Sequence, residues 1–419
     1  MVTILGFLIS VLIPLLLMII PGILISIAIF RKEKLSILEC TLIGISIGFS
    51  LPAILSFIEF VIFGIKFTRT IAILNLTLIY IMSIFIFYRN TEISSEKIKI
   101  KVKEETDPHN IILVIILFLS FWFRVQSLSH FFFDFDTYWY NSLTQFILTD
   151  GFVPISDDLA WYPNLNSRRG LSLVQYTIAN IYSLYSIFNN VNEFNFELMT
   201  MIANLYPPIV SMLLVFYAYL LFSSEYNKKI GLIAATLVSF SPTLLDKTLS
   251  GEFELAPFGF YSIIFFYCVY YLTLKNKSKN FAILSAFSIF VALLSAPASV
   301  IPHVFLSAMI IILSLIKFFK DELDKEFIVT NAIVVSGALV AGILQTIYVF
   351  PAFGFSGAYM YGISLISLVL STVLYFISKE AKVTEDKLLI LSGILVAGIV
   401  IIYITPLSKM IYHYYETFF

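Results

Sequence analysis

The chain has 419 residues, of which 59% are hydrophobic and 13% charged, with a formal net charge of -1 and a mean hydropathy of +0.95. A soluble domain carries about 45–50% apolar and about 25% charged residues, so the composition is that of a polytopic membrane protein, and the charge balance excludes a basic nucleic-acid-binding face. Cys40 and Cys268 both fall inside apolar runs, which leaves no basis for a disulfide framework or a thiolate metal site.

A membrane span needs about 20 mostly apolar residues. Runs of this kind predict an all-α protein of about twelve transmembrane helices, near 1-30, 37-64, 70-88, 111-128, 199-222, 230-243, 256-274, 281-295, 299-316, 328-350, 358-378 and 388-405. The first positive cluster, Arg31, Lys32 and Lys34, follows the first helix instead of preceding it, so that helix is expected to be retained with the N-terminus outside. Residues 1-90 then form an N-terminal three-helix segment, 91-110 a charged cytoplasmic linker, 111-405 the main transmembrane domain, and 406-419 an external tail.

Residues 171-188 are long enough to be a further span, and the Lys/Arg distribution decides against it. If this segment does not cross, one side of the membrane collects Arg31, Lys32, Lys34, Arg89, the lysines of 97-103, Lys228, Lys229, Lys275, Lys277, Lys279, Lys317, Lys320, Lys325, Lys379, Lys382 and Lys387. If it crosses, every later loop inverts, against the bias of basic loops toward the cytoplasm. The segment is therefore expected to be an amphipathic helix at the outer interface, with Gln175, Asn180 and its hydroxyl-bearing residues facing water or protein, inside one long external loop from 129 to 198.

That loop is acidic and aromatic. It holds Asp134, Asp136, Asp150, Asp157, Asp158, Glu193 and Glu197, and a second external loop at 244-256 adds Asp246, Glu252 and Glu254. Carboxylates near a membrane end call for a partner, because an unpaired acid there is costly. Glu252 and Glu254 at i and i+2, facing Asp136 from the first loop, could supply oxygens to Mg²⁺ or Mn²⁺, hard cations that combine carboxylates with substrate phosphates. Alternatively the partner is a cation of the chain itself: Lys247, Arg168 or Arg169. Asp136 stands out, flanked by Phe131-Phe132-Phe133 and Tyr138-Trp139-Tyr140. Arg124, near the outer end of its span, is expected to snorkel to the interface, and His303 to be a hydrogen-bonded helix histidine.

The order of these features resembles the catalytic subunit of oligosaccharyltransferase and, more broadly, the polyprenyl-phosphate-sugar-dependent glycosyltransferases of the GT-C fold. The residues that carry the resemblance are Phe135-Asp136, Gly151-Phe152, the string Asp157-Asp158-Leu159-Ala160-Trp161-Tyr162-Pro163, and Gly251-Glu252-Phe253-Glu254 at the start of a later span. The resemblance implies that Asp136 is the first-loop aspartate that holds a metal or acts on the acceptor. Glu254 matches the first position of the second-loop acidic motif, whose second position falls on Ala256, unless Glu252 and Glu254 share the work. No counterpart of the soluble C-terminal domain follows before Phe419, so protein N-glycosylation by this chain alone is not expected.

The activity implied is inverting transfer of a sugar from a polyprenyl (dolichyl-type) phosphate or pyrophosphate donor on the extracytoplasmic face. Asp136 and Asp134 are the candidate catalytic acids, and Asp136, Glu252 and Glu254 the candidate metal ligands. Trp161, Tyr162, Arg168, Arg169 and Lys247 are the candidate substrate contacts. The expected partners are the lipid-linked donor and membrane lipid. A non-enzymatic flippase or scaffold of an envelope-glycan pathway is the competing reading; a third, an ion or solute transporter, predicts charged residues lining the mid-membrane, and the spans offer little beyond Glu39 and Glu59.

Overall fold

The computed structural model describes residues 4–33, 35–90, 107–132, 135–153, 173–295, 300–353 and 356–380, with short pieces between 383 and 393. These residues form helices and turns, with no strand among those described. In chain order the helices are α1 (Ile4–Phe30), α2 (Ile37–Phe63), α3 (Arg69–Asn90), α4 (Pro108–Val125), α5 (Phe135–Thr149), α6 (Leu173–Phe188) and α7 (Phe196–Glu225). There follow α8 (Lys228–Ser239), α9 (Pro242–Asp246), α10 (Leu255–Asn276), α11 (Lys279–Leu293), α12 (Val300–Phe319), α13 (Lys325–Phe353) and α14 (Ser356–Ser378).

Local chemistry explains where these helices start. Ser36 and Glu39 make a reciprocal capping box at the head of α2. Asp107 caps α4 ahead of Pro108, whose missing N–H costs nothing in a first turn. Asn195, Asn227 and Ser278 cap α7, α8 and α11 through their side-chain oxygens. Between α1 and α2 the approach is backbone to backbone: a Cβ on Gly22 would lie 2.2 Å from the Gly44 carbonyl oxygen, the small-residue contact that substitutes for hydrophobic driving force in lipid.

Among the described residues eight helices are long and apolar enough to cross a membrane, against about twelve expected of the whole chain. The difference lies partly at 230–243, where α8 has 12 residues and stops at Ser239 before the five-residue α9. At about 1.5 Å per residue such a helix spans well under the thickness of a bilayer core. Residues beyond 393, which include most of the twelfth expected span, lie outside the described residues.

Polar contacts sort the turns into two ends. At one end, Glu33 accepts from Ser278 and Asn280, Lys228 meets Asp107 at 2.6 Å, Lys277 meets Asp324 and Lys387 meets Asp321. These contacts join the segments around 33, 277–280, 321–324 and 387, and separately those at 107 and 228. At the other end, the Phe67 N–H donates to the Gly151 carbonyl, Arg69 donates to the carbonyls of Val191 and Asn192, and Leu173 N–H donates to the carbonyl of Leu294. The start of α6 thus attaches to the end of α11, and the turn after it to the start of α3.

The expected position of α6 on the surface is corrected by its burial. Every residue from Leu173 to Leu184 is buried, and α1, α2, α3, α5 and α7 all pack on it. Its polar residues do not face water. Thr177 and Asn180 return their side-chain hydrogen bonds to the helix's own carbonyls at Leu173 and Tyr176, and the Tyr182 hydroxyl accepts the Asn195 N–H. Hydroxyls and amides that satisfy their own backbone can sit in an interior, which is why the sequence pattern alone looked amphipathic.

Candidate active site

The site is built where α4 ends. Arg124, in the last turn of α4, is 1% exposed and does not snorkel outward as expected. Its Nε donates to Thr248 Oγ1 at 2.6 Å, Nη1 to the carbonyl and hydroxyl of Ser120 at 3.0 Å, and Nη2 to the carbonyl of Ser239 at 3.0 Å. All four acceptors are neutral. The charge is offset by the C-terminal ends of α4 and α8, where exposed carbonyls carry partial negative charge. A guanidinium can reach three directions at once in one plane, which an ammonium cannot. The clamp continues through the main chain, since Ser250 N–H donates to the Arg124 carbonyl and the Ser127 hydroxyl donates to the Ser250 carbonyl.

The turn so held carries Lys247, Glu252 and Glu254. Gly251 has φ +105, in the left-handed region that only glycine enters freely. Glu254 N–H then donates to the Glu252 carbonyl at 2.8 Å, a tight turn about Phe253, which is 1% exposed. With Phe253 as the buried pivot, both carboxylates reach Lys247: its Nζ lies 3.6 Å from Glu252 and 3.8 Å from Glu254. Glu254 stands at the N-cap of α10 yet makes no side-chain cap bond. The carboxylate of Glu254, with those of Glu252 and Asp246, pushes the Lys247 ammonium up from its ordinary value, against a smaller opposing effect of burial.

Asp136 lies in the first turn of α5 and is exposed. Phe132 connects it to the second acidic turn. The Phe132 ring stacks on Phe253 at 6.4 Å and meets Tyr138, two residues after Asp136, edge-on at 5.1 Å. Asn204 of α7 fixes the intervening strand of chain by donating to the carbonyls of Ser129 and Phe131. The two acidic segments are therefore neighbours at one end of the bundle.

Among the described residues no group of three or more His, Cys, Asp or Glu is gathered that could hold a metal ion, and the Lys247 ammonium lies near both Glu252 and Glu254. Asp134, Asp157, Asp158, Trp161, Tyr162, Arg168 and Arg169 lie outside the described residues. His303 is buried and shares its Nδ1 hydrogen bond with Ser364, as a helix histidine is expected to do. Arg124, Thr248 and Phe132 are the residues that sequence reading missed. An ionisable residue within a span is a functional candidate by default, and that signal was present at Arg124.

Comparison with known proteins places this geometry. The family model "Oligosaccharyl transferase STT3, N-terminal" matches residues 109–409. A subunit STT3A of dolichyl-diphosphooligosaccharide–protein glycosyltransferase from Oryza sativa subsp. japonica is 25% identical over 171 residues, 40% of this chain and 21% of that protein. The oligosaccharyltransferase AglB of Archaeoglobus fulgidus, solved with an inhibitory peptide and a dolichol-phosphate, superposes with a TM-score of 0.54 at 17% identity over 70% of this chain and 37% of its own. The apo form gives 0.53 at 18% identity, over 71% and 36%, and a complex with Zn and sulfate gives 0.51 at 17%, over 70% and 40%. At such identities the structures show a shared fold, and the chain spans about a fifth of the rice relative and under half of the archaeal ones. Since the family match covers well over half of its residues, this chain, an all-α membrane protein, belongs to the oligosaccharyl transferase STT3 family.

Proposed function

We propose that this chain transfers a sugar from a polyprenyl (dolichyl-type) phosphate or pyrophosphate to an acceptor, on the end of the bundle where α4, α5 and α10 meet, and that this end is extracytoplasmic. The observation that carries the reading is the junction of the two acidic segments through Phe132, in a chain of this family. The basic turns at the opposite end support the sidedness through the positive-inside bias.

In the transfer, the acceptor nucleophile forms a bond to the anomeric carbon while the bond from that carbon to the phosphate oxygen breaks, with inversion. The acceptor proton passes to Asp136, with Asp134 as the neighbouring acid, and the bonding electrons leave with the phosphate. Developing charge on that leaving group needs a preorganised positive centre. Lys247, Arg168 and Arg169 are the candidates, the arginines with the forked geometry suited to phosphate and Lys247 already offset by Glu252 and Glu254. Trp161 and Tyr162 offer flat faces for a sugar ring or the first isoprenes.

The test uses membranes containing the full chain, radiolabelled polyprenyl-phosphate sugars, and peptide or lipid acceptors. Wild-type chain is expected to consume donor and Asp136→Ala to fail. Full transfer by Asp136→Ala would remove the catalytic assignment. If wild type consumes no donor with any acceptor, the flippase or scaffold reading replaces this one.

A further inference from the structure

We propose that Lys247 is the resident cation of the second acidic turn: its ammonium stands between Glu252 and Glu254 where a divalent ion would have to sit. The occupancy of the glutamate pair by lysine does not rest on the transferase reading.

The geometry is specific. Lys247 and the two glutamates lie within eight consecutive residues of one turn, so their encounter costs little loop entropy. The turn at Gly251 and the pivot at Phe253 aim both carboxylates at one point. The glutamate side chains are largely enclosed, at 13% and 15% exposed, whereas Lys247 is 40% exposed. Glu252 Oε2 is buried and accepts no hydrogen bond, so the ammonium at 3.6 Å is the charge it faces. A magnesium-like ion requires about six oxygens at roughly 2.1 Å. Here two carboxylates converge, no third His, Cys, Asp or Glu joins them among the described residues, and a cation already fills the gap. Lysine is a compact point charge on a flexible stem, able to meet both carboxylates and offset one of their two charges.

The experiment reads Mn²⁺ binding alone, by the loss of the free-ion electron paramagnetic resonance signal, on the purified full-length chain in detergent. Lys247→Met and Lys247→Gln are expected to bind Mn²⁺ at least about tenfold more tightly than wild type, because a like charge a few ångströms from the ion is gone. Lys247→Arg should stay as weak as wild type. Adding Glu252→Gln and Glu254→Gln to Lys247→Met should abolish the gain. The idea is overturned if wild type binds Mn²⁺ as well as Lys247→Met and Lys247→Gln do, whether tightly or weakly, or if the gain survives loss of both glutamates. Parallel thermal melts show that each variant is folded, and the paired Met and Gln variants guard against a defect peculiar to one. No donor or acceptor is present, so a failed transfer assay and a failed binding result bear on different claims.

Discussion

Arg124 Nε donates to Thr248 Oγ1 at 2.6 Å, so the last turn of α4 holds the turn that carries both glutamates of the candidate site. Arg124→Met would strip donors from the Thr248 hydroxyl and from the Ser120 and Ser239 carbonyls, all at buried positions. At about 1–3 kcal/mol for each buried group left unsatisfied, a loss of about 3 kcal/mol or more is expected. Arg124→Lys should recover little of it, because one ammonium cannot span three directions. Thermal unfolding of the purified chain in detergent checks this, and an unchanged midpoint for Arg124→Met would refute the clamp.

Asp136 is exposed in the first turn of α5, where a carboxylate gains at most about 0.3–1 kcal/mol from the helix end. Asp136→Asn should therefore melt within a few degrees of wild type while transfer falls by two or more orders of magnitude, roughly the contribution of a positioned acid or base. A large drop in melting temperature, or retained transfer, would count against the assignment.

Gly251→Ala forces a side chain into φ +105, at a cost of about 1–3 kcal/mol. The chain can relieve that strain only by rotating the backbone that aims Glu252 and Glu254. The expected outcome is a modest loss of stability and a larger loss of transfer, measured side by side. Equal, small effects on both would mean the turn does not set the carboxylates.

At the opposite end, Asp107 accepts from Lys228, from the His109 N–H and from the His109 ring. The Lys228 ammonium foremost, then the His109 bonds, hold its carboxyl far below the usual range. A depressed folded value stabilises the chain above the unfolded value, near 3.9, and that contribution is lost as pH falls through the folded one. Wild type should lose stability more steeply than Asp107→Asn as pH drops from about 5 toward 2, and asparagine keeps the N-cap. Parallel pH profiles for the two proteins would show that Asp107 carries no linked proton.

Much of this protein was legible in the chain itself. Apolar runs gave the long helices because a membrane core demands about 20 such residues. Asp136, Glu252 and Glu254 stood out as acids among aromatics. Tertiary packing decided the rest. Whether α6 faces water or protein depends on what surrounds it, because Thr177 and Asn180 satisfy their own backbone and fit an interior equally well. Whether Arg124 snorkels or clamps depends on helix ends contributed by residues more than a hundred positions away. And the sequence left the partner of the glutamate pair open between a metal and Lys247, Arg168 or Arg169; only the fold, through a left-handed glycine and a buried phenylalanine, brings both carboxylates near Lys247.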